Sequence, residues 1–122
     1  MARRQEHHLL FARVSRVLDG DTFVVECGPL GFRVRVADCN TPERGAPGWA
    51  EARDYVRDNL LGEWVGLGNR NQQWDRYARK LSEVYFGKDF TRNLGEELLA
   101  AGLAVPDPTT ATNVMPESMP PA

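Results

Sequence analysis

Three short polar stretches of this 122-residue chain hold residue types that can act on a charged substrate. The first is Asp19-Gly20-Asp21-Thr22. Two carboxylates projecting from one tight turn make a hard, oxygen-rich, negative spot, which suits Ca²⁺ or Mg²⁺ and not zinc. An Asp-Gly turn also serves plain hairpins, so this feature alone leaves both readings open. The second stretch is Arg35, followed by Asn40-Thr41-Pro42-Glu43. A guanidinium grips phosphate oxygens in a planar, bidentate way. Glu43 follows a proline in a loop, where an exposed carboxylate can accept a proton from water. The plain alternative is a surface arginine and a solvated glutamate. The third stretch, Asp75-Arg76-Tyr77-Ala78-Arg79, supplies a second arginine just before a strand, in what an ordinary charged loop would also look like.

These residues need elements to bring them together. Residues 10–18 are mixed apolar, basic and β-branched, as a strand requires, and Asp19-Gly20-Asp21 is a turn. Thr22-Phe23-Val24-Val25-Glu26-Cys27 reads as a second strand, and Gly28-Pro29-Leu30-Gly31 as another turn. Phe32-Arg33-Val34-Arg35-Val36 alternates strictly, so the apolar residues face one side and the arginines the other. Pro42 ends pairing. A simple alternation puts Arg35 and Asn40 on opposite faces, so a shared site requires a bend between them. From Trp49 the period changes: Ala52, Val56 and Leu60 recur every four residues up to Gly62, as in an amphipathic helix. Short strands follow at 64–67 and 81–86. A second helix is expected from an N-cap at Thr91, presenting Leu94, Leu98 and Ala101 and stopping at Gly102. Five short antiparallel strands with two helices suggest an α+β fold in which the sheet closes into a β-barrel, because closure removes exposed edges.

The length allows one domain and one core, here 1–104. The tail, 105–122, holds Pro106, Pro108, Pro116, Pro120 and Pro121 with few large apolar residues, and is expected to be disordered or loosely docked. The formal net charge is −2 and the pI about 5.7. Tight non-specific binding to a polyanion over a broad footprint needs a basic surface, so any nucleic-acid contact should be confined to one or two phosphates. No stretch is apolar enough to span a membrane, and the basic start lacks the apolar run of a signal peptide, so a cytoplasmic location is expected. Cys27 and Cys39 are too few for a disulfide scaffold and read as unpaired thiols. His7 and His8 lack metal-type spacing and read as surface residues.

Taken in order, Asp19-Gly20-Asp21-Thr22, Arg35, Asn40-Thr41-Pro42-Glu43, Asp75-Arg76-Tyr77-Ala78-Arg79 and then Gly102-Leu103-Ala104 after a helix resemble the staphylococcal nuclease (thermonuclease-like) family from about Arg13 to Ala104. The resemblance implies a five-stranded OB-type barrel with helices packed on it. It implies a metal site for Ca²⁺, with Mg²⁺ or Mn²⁺ as substitutes, at Asp21, Asn40 and Thr41, the last through its carbonyl. Arg35 and Arg79 match the phosphate-binding arginines, and Glu43 matches the general base. Arg76 and Tyr77 flank the bound nucleotide, and Asp19 stands behind in the outer shell. The partner implied is DNA or RNA, and the chain is expected to be a monomer or weak homodimer.

Two departures accompany the resemblance. The family normally has aspartate where this chain has Asn40, which keeps an oxygen ligand but removes a full charge and so weakens a cation site. The proline-rich tail stands where the family continues into a third helix, and stacking aromatics of that region, worth ~1–3 kcal/mol per base, have no match. A metal-dependent nuclease is therefore weighed against a non-catalytic nucleic-acid- or protein-binding module on the same fold, and against a structural domain attached through its tail.

Overall fold

The computed structural model describes residues 9–68 and 74–107, so the expectations for His7, His8 and the tail from residue 108 onward lie outside the described residues. The chain folds as α+β. Strand β1 (Leu9–Asp19) pairs antiparallel with β2 (Thr22–Cys27), and β2 with β3 (Leu30–Val36), which is the expected meander. The apolar positions of the alternation, Ala12, Val14, Phe23, Val25, Val34 and Val36, turn inward and are fully buried. Register shifts in β1, between Val14 and Arg16 and between Val17 and Asp19, twist its end toward the Asp19 turn.

After a two-residue β4 (Cys39–Asn40) comes helix α1 (Trp49–Leu60). It buries Ala52, Val56 and Leu60, as their four-residue spacing predicts, and lies across β1. The Asp19-Gly20-Asp21 turn packs directly beneath it. A Cβ at Gly20 would stand 2.7 Å from the Ala52 Cβ and 2.9 Å from the Thr41 Cγ2, so only glycine lets the turn approach this closely.

Strand β5 (Trp64–Gly68) pairs with β1 on the side opposite β2. The expected strand at 81–86 is in fact two, β6 (Arg79–Ser82) and β7 (Val84–Phe86), because the chain changes partner at Glu83: β6 runs parallel to β3, and β7 antiparallel to β5. The Ser82 hydroxyl at this switch donates to the Gly68 and Glu83 carbonyls. With β8 (Arg92–Asn93), the seven strands lie in the order β6-β3-β2-β1-β5-β7-β8.

Helix α2 (Leu94–Ala100) has its N-cap two residues later than expected. Residues 92–93 are spent pairing with β7, so Asn93 becomes the N-cap, its Oδ1 accepting from the Glu96 N–H at 3.0 Å. The Thr91 hydroxyl instead donates to the Lys88 carbonyl at the end of a single 3-10 turn. Leu94 and Leu98 bring α2 into the core beside Phe23, Leu60 and Leu67. The chain then turns back, and β9 (Val105–Pro106) pairs antiparallel with β4. Residues 105–107, read from the sequence as the start of the tail, thus include a short strand paired with β4. Both cysteines are free thiols, Cys39 buried and Cys27 partly so. No helix among the described residues is long and apolar enough to cross a membrane.

Candidate functional site

The anticipated bend after β3 exists. Ala37 and Asp38 turn the chain, Asp38 adopting φ 69°, so that β4 folds back over the end of β3. Arg35 lies on the outer face of the sheet as the alternation requires, yet it is only 8% exposed, because this returning backbone covers it. Its Nη1 donates to the Val36 carbonyl and, at 2.8 Å, to the Cys39 carbonyl. Its Nη2 lies 3.3 Å from the Asn40 Oδ1, 3.3 Å from an Asp107 carboxylate oxygen and 3.7 Å from the Asp21 Oδ2. Arg35 and Asn40, five positions apart, thus meet.

Asp21 is buried at the start of β2, directly below. Its Oδ2 accepts the Thr41 backbone N–H at 3.0 Å, and its Oδ1 accepts the Thr22 hydroxyl at 3.1 Å. The same Thr22 oxygen accepts from the Arg79 Nη1 at 3.1 Å. A continuous polar chain therefore runs from Arg79 through Thr22 and Asp21 to Arg35. It exists because β2, β3 and β6 are neighbours, with Thr22 opposite Arg35 and Arg35 opposite Leu81.

Arg79 is positioned by its own loop. Asp75 Oδ1 accepts the Tyr77 and Arg79 N–H groups at 2.9 and 3.0 Å, and its Oδ2 takes the Arg79 Nε and Nη2, each at 2.8 Å. The Arg76 and Arg79 guanidiniums lie 5.3 and 5.1 Å from the centre of the Tyr77 ring, which is 56% exposed, and Arg33 donates to the Tyr77 carbonyl. Asp19 stands apart from this chain, accepting the Trp49 indole N–H at 2.7 Å. Glu43 is exposed on the loop that follows Thr41, its carbonyl accepting from the Ala46 N–H. The next residue, Arg44, stacks on the Trp49 ring at 4.6 Å and pins that loop to α1.

The oxygens around Asp21 are hard donors: its carboxylate, the Asn40 amide oxygen and the Thr41 oxygens. The Thr41 hydroxyl is buried without a hydrogen-bond partner, an uncompensated dipole that a cation would satisfy. The donor set therefore fits a hard divalent ion in kind. In charge it is poor, since position 40 is neutral, and no group of three His, Cys, Asp or Glu gathers into a cation site among the described residues. The carbonyl of Cys39 holds Arg35, and its thiol is buried. Burial pushes that thiol up to about 12 against the smaller opposing pull of Arg35, with Asp21, Asp38 and Asp107 adding to the rise.

The sequence missed two partners of the arginines. Asp75 was visible in an Asp-x-x-x-Arg spacing, the reach of an ion pair across a turn. Asp107 carried no signal, because its approach depends on pairing between two-residue strands far apart in the chain.

No family model matches the chain. Among curated proteins it is 35% identical over 95 residues to a thermonuclease of Staphylococcus hyicus, covering 72% of this chain and 56% of that protein. It is 38% identical over 72 residues to a micrococcal nuclease of Shigella flexneri, covering 59% and 40% respectively. It is 30% identical over 95 residues to an uncharacterized endonuclease of Escherichia coli, covering 78% and 60%. The chain spans about half the length of the curated relatives it matches.

Proposed function

Since the chain belongs to the staphylococcal-nuclease-like family, we propose that it is a metal-dependent nuclease that hydrolyses phosphodiester bonds of DNA, RNA or both. The observation that carries this reading is the polar chain that ties Arg35 and Arg79 to one buried carboxylate, Asp21. The OB-type barrel belongs to the same reading: β6 and β7 are separated by Glu83 alone, so the strand beside β3 and the strand beside β5 are one stretch of chain.

A phosphodiester repels nucleophiles because its oxygens are already negative, and more charge accumulates as water adds to phosphorus. Arg35 and Arg79 supply fixed positive charge where that excess develops, and their low exposure makes it worth more than in water. Glu43, exposed and next to the Asp21–Thr41 junction in the chain, takes the proton of the attacking water. Asp21, Asn40 and Thr41 would hold a Ca²⁺ ion, or Mg²⁺ or Mn²⁺ in its place, and such an ion supplies Lewis-acid polarisation of a phosphoryl oxygen. Tyr77 and Arg76 flank the nucleotide. Compensation of each arginine by its own carboxylate, Asp107 or Asp75, agrees with an acidic protein whose contact is local.

The test is a cleavage assay on single-stranded DNA and on RNA, with calcium, magnesium, manganese or EDTA. Arg35→Ala and Arg79→Ala should each lower the rate on the order of 10²–10³-fold. Equal rates in the parent and both variants would remove the catalytic assignment. One observation favours a second reading, a nucleic-acid-binding module without catalysis: the neutral Asn40 in the cation site. Metal-independent binding of oligonucleotides without cleavage is the result that would select it.

A further inference from the structure

Arg35 has five N–H groups, and four point at protein acceptors. The two on Nη1 are held by main-chain carbonyls of Val36 and Cys39, which cannot retreat without breaking the bend. On Nη2 the acceptors are side chains, Asn40 and Asp107, each at 3.3 Å. An incoming phosphate needs two adjacent donors, and the edge open to it is Nε with Nη2. Two carboxylates face Nη2: Asp21 at 3.7 Å, fixed by the Thr41 N–H and the Thr22 hydroxyl, and Asp107 at 3.3 Å, which comes from the far end of the described chain. We propose that Asp107 is an affinity-setting residue of this site, an internal anion that occupies the phosphate-binding edge of Arg35 and must yield before a phosphate is bound.

The way Asp107 is held supports this role. It reaches Arg35 from the end of β9, a strand of two residues, anchored by its backbone N–H to the Asp38 carbonyl at 3.0 Å. Val105, in the same strand, is 59% exposed, whereas the Asp107 side chain is 15% exposed against Arg35. Asp75, the corresponding carboxylate on Arg79, is different. It also spans the Nε and Nη2 of its arginine, but two main-chain N–H groups fix it in a local turn, so it is built into the loop. A carboxylate left beside a bound phosphate would also repel it, so both displacement and like-charge repulsion act against the ligand.

The inference rests on the phosphate-binding role of Arg35 and needs no catalysis. Binding of inorganic phosphate to the full chain is measured by titration calorimetry and by the Arg35 Nε–H resonance, for the parent, Asp107→Asn and Asp107→Ala. Removing one like charge from a partly screened site should tighten phosphate roughly three- to tenfold in both variants. In the Arg35→Ala background the gain should vanish. Weaker or unchanged binding in Asp107→Asn overturns the proposal and makes Asp107 a brace for Arg35. So does an absence of phosphate binding in both parent and variants. Tighter phosphate without nucleic-acid cleavage would sink the nuclease reading and leave Asp107 as proposed. Cleavage by the parent with no change on removing Asp107 would do the reverse.

Discussion

Asp75 is the residue whose loss should reveal how much of the site depends on one loop. Its carboxylate accepts two main-chain N–H groups and both the Nε and Nη2 of Arg79, and the two side chains are about one-fifth exposed. Each main-chain bond to it contributes ~1 kcal/mol once competition from water is counted, and the bidentate ion pair adds about as much at this exposure. Asp75→Ala should therefore destabilise the fold by about 2–4 kcal/mol. Asp75→Asn keeps the acceptor for the Tyr77 and Arg79 N–H groups but turns an NH2 donor toward the Arg79 Nε and Nη2, losing the charge and both bonds to that side chain, so about 1–2 kcal/mol is expected. Urea unfolding followed by tryptophan fluorescence reads both, with equal m-values for parent and variants showing that the transition is unchanged. The functional consequence is separable. Without Asp75, Arg79 keeps the Thr22 hydroxyl and the Tyr77 ring as its contacts. A misplaced catalytic group loses up to on the order of 10²-fold in kcat, so Asp75→Asn should fall well below the parent on single-stranded DNA while staying folded. An Asp75→Ala protein with parental stability would refute the loop argument, and an Asp75→Asn protein with parental kcat would show that Arg79 needs no such positioning.

Three further outcomes are expected. Gly20→Ala forces a methyl into Ala52 and Thr41 and should lower stability by ~1–3 kcal/mol, measured by the urea midpoint, with any residual anion binding weakened because Thr41 is pushed off Asp21. Glu97, whose carboxylate is held below its ordinary 4.5 chiefly by the Arg92 hydrogen bonds, contributes stability that is complete above that value. It is lost as pH falls through the lower folded value, so Glu97→Gln should flatten the acid limb of stability against pH. Iodoacetamide at mildly alkaline pH should label Cys27 in the native protein and reach Cys39 only on denaturation, giving one adduct and then two by mass.

Much of the scaffold was legible because it rests on local periodicity. The period-two pattern from Thr22 through Val36 placed β2 and β3, and the four-residue spacing of Ala52, Val56 and Leu60 placed α1. The need for a bend between Arg35 and Asn40 was also legible, since parity alone forbids their meeting on a straight strand. What failed depended on distant pairing. Thr91 is a good cap in isolation, but β8 claims the next two residues and moves the cap to Asn93. The run 81–86 looks like one strand because nothing local marks the change of partner at Glu83. Arg35 reads as a surface residue from its alternation, and only the return of β4 and β9 over it makes it a buried cation.

The parallel pairing of β3 with β6 has a temporal consequence. It joins Arg33 to Arg79 and Arg35 to Leu81, so the second arginine reaches the first only after the helix and β5 have been traversed and a long loop has been closed. Contacts of that separation slow folding, because loop-closure entropy is lost before they form. A nascent chain released as far as β5 already contains Asp21, Arg35 and Glu43 but lacks Arg79 and its pairing with β3. In refolding, phosphate binding that needs both arginines should therefore appear only once β6 has paired with β3.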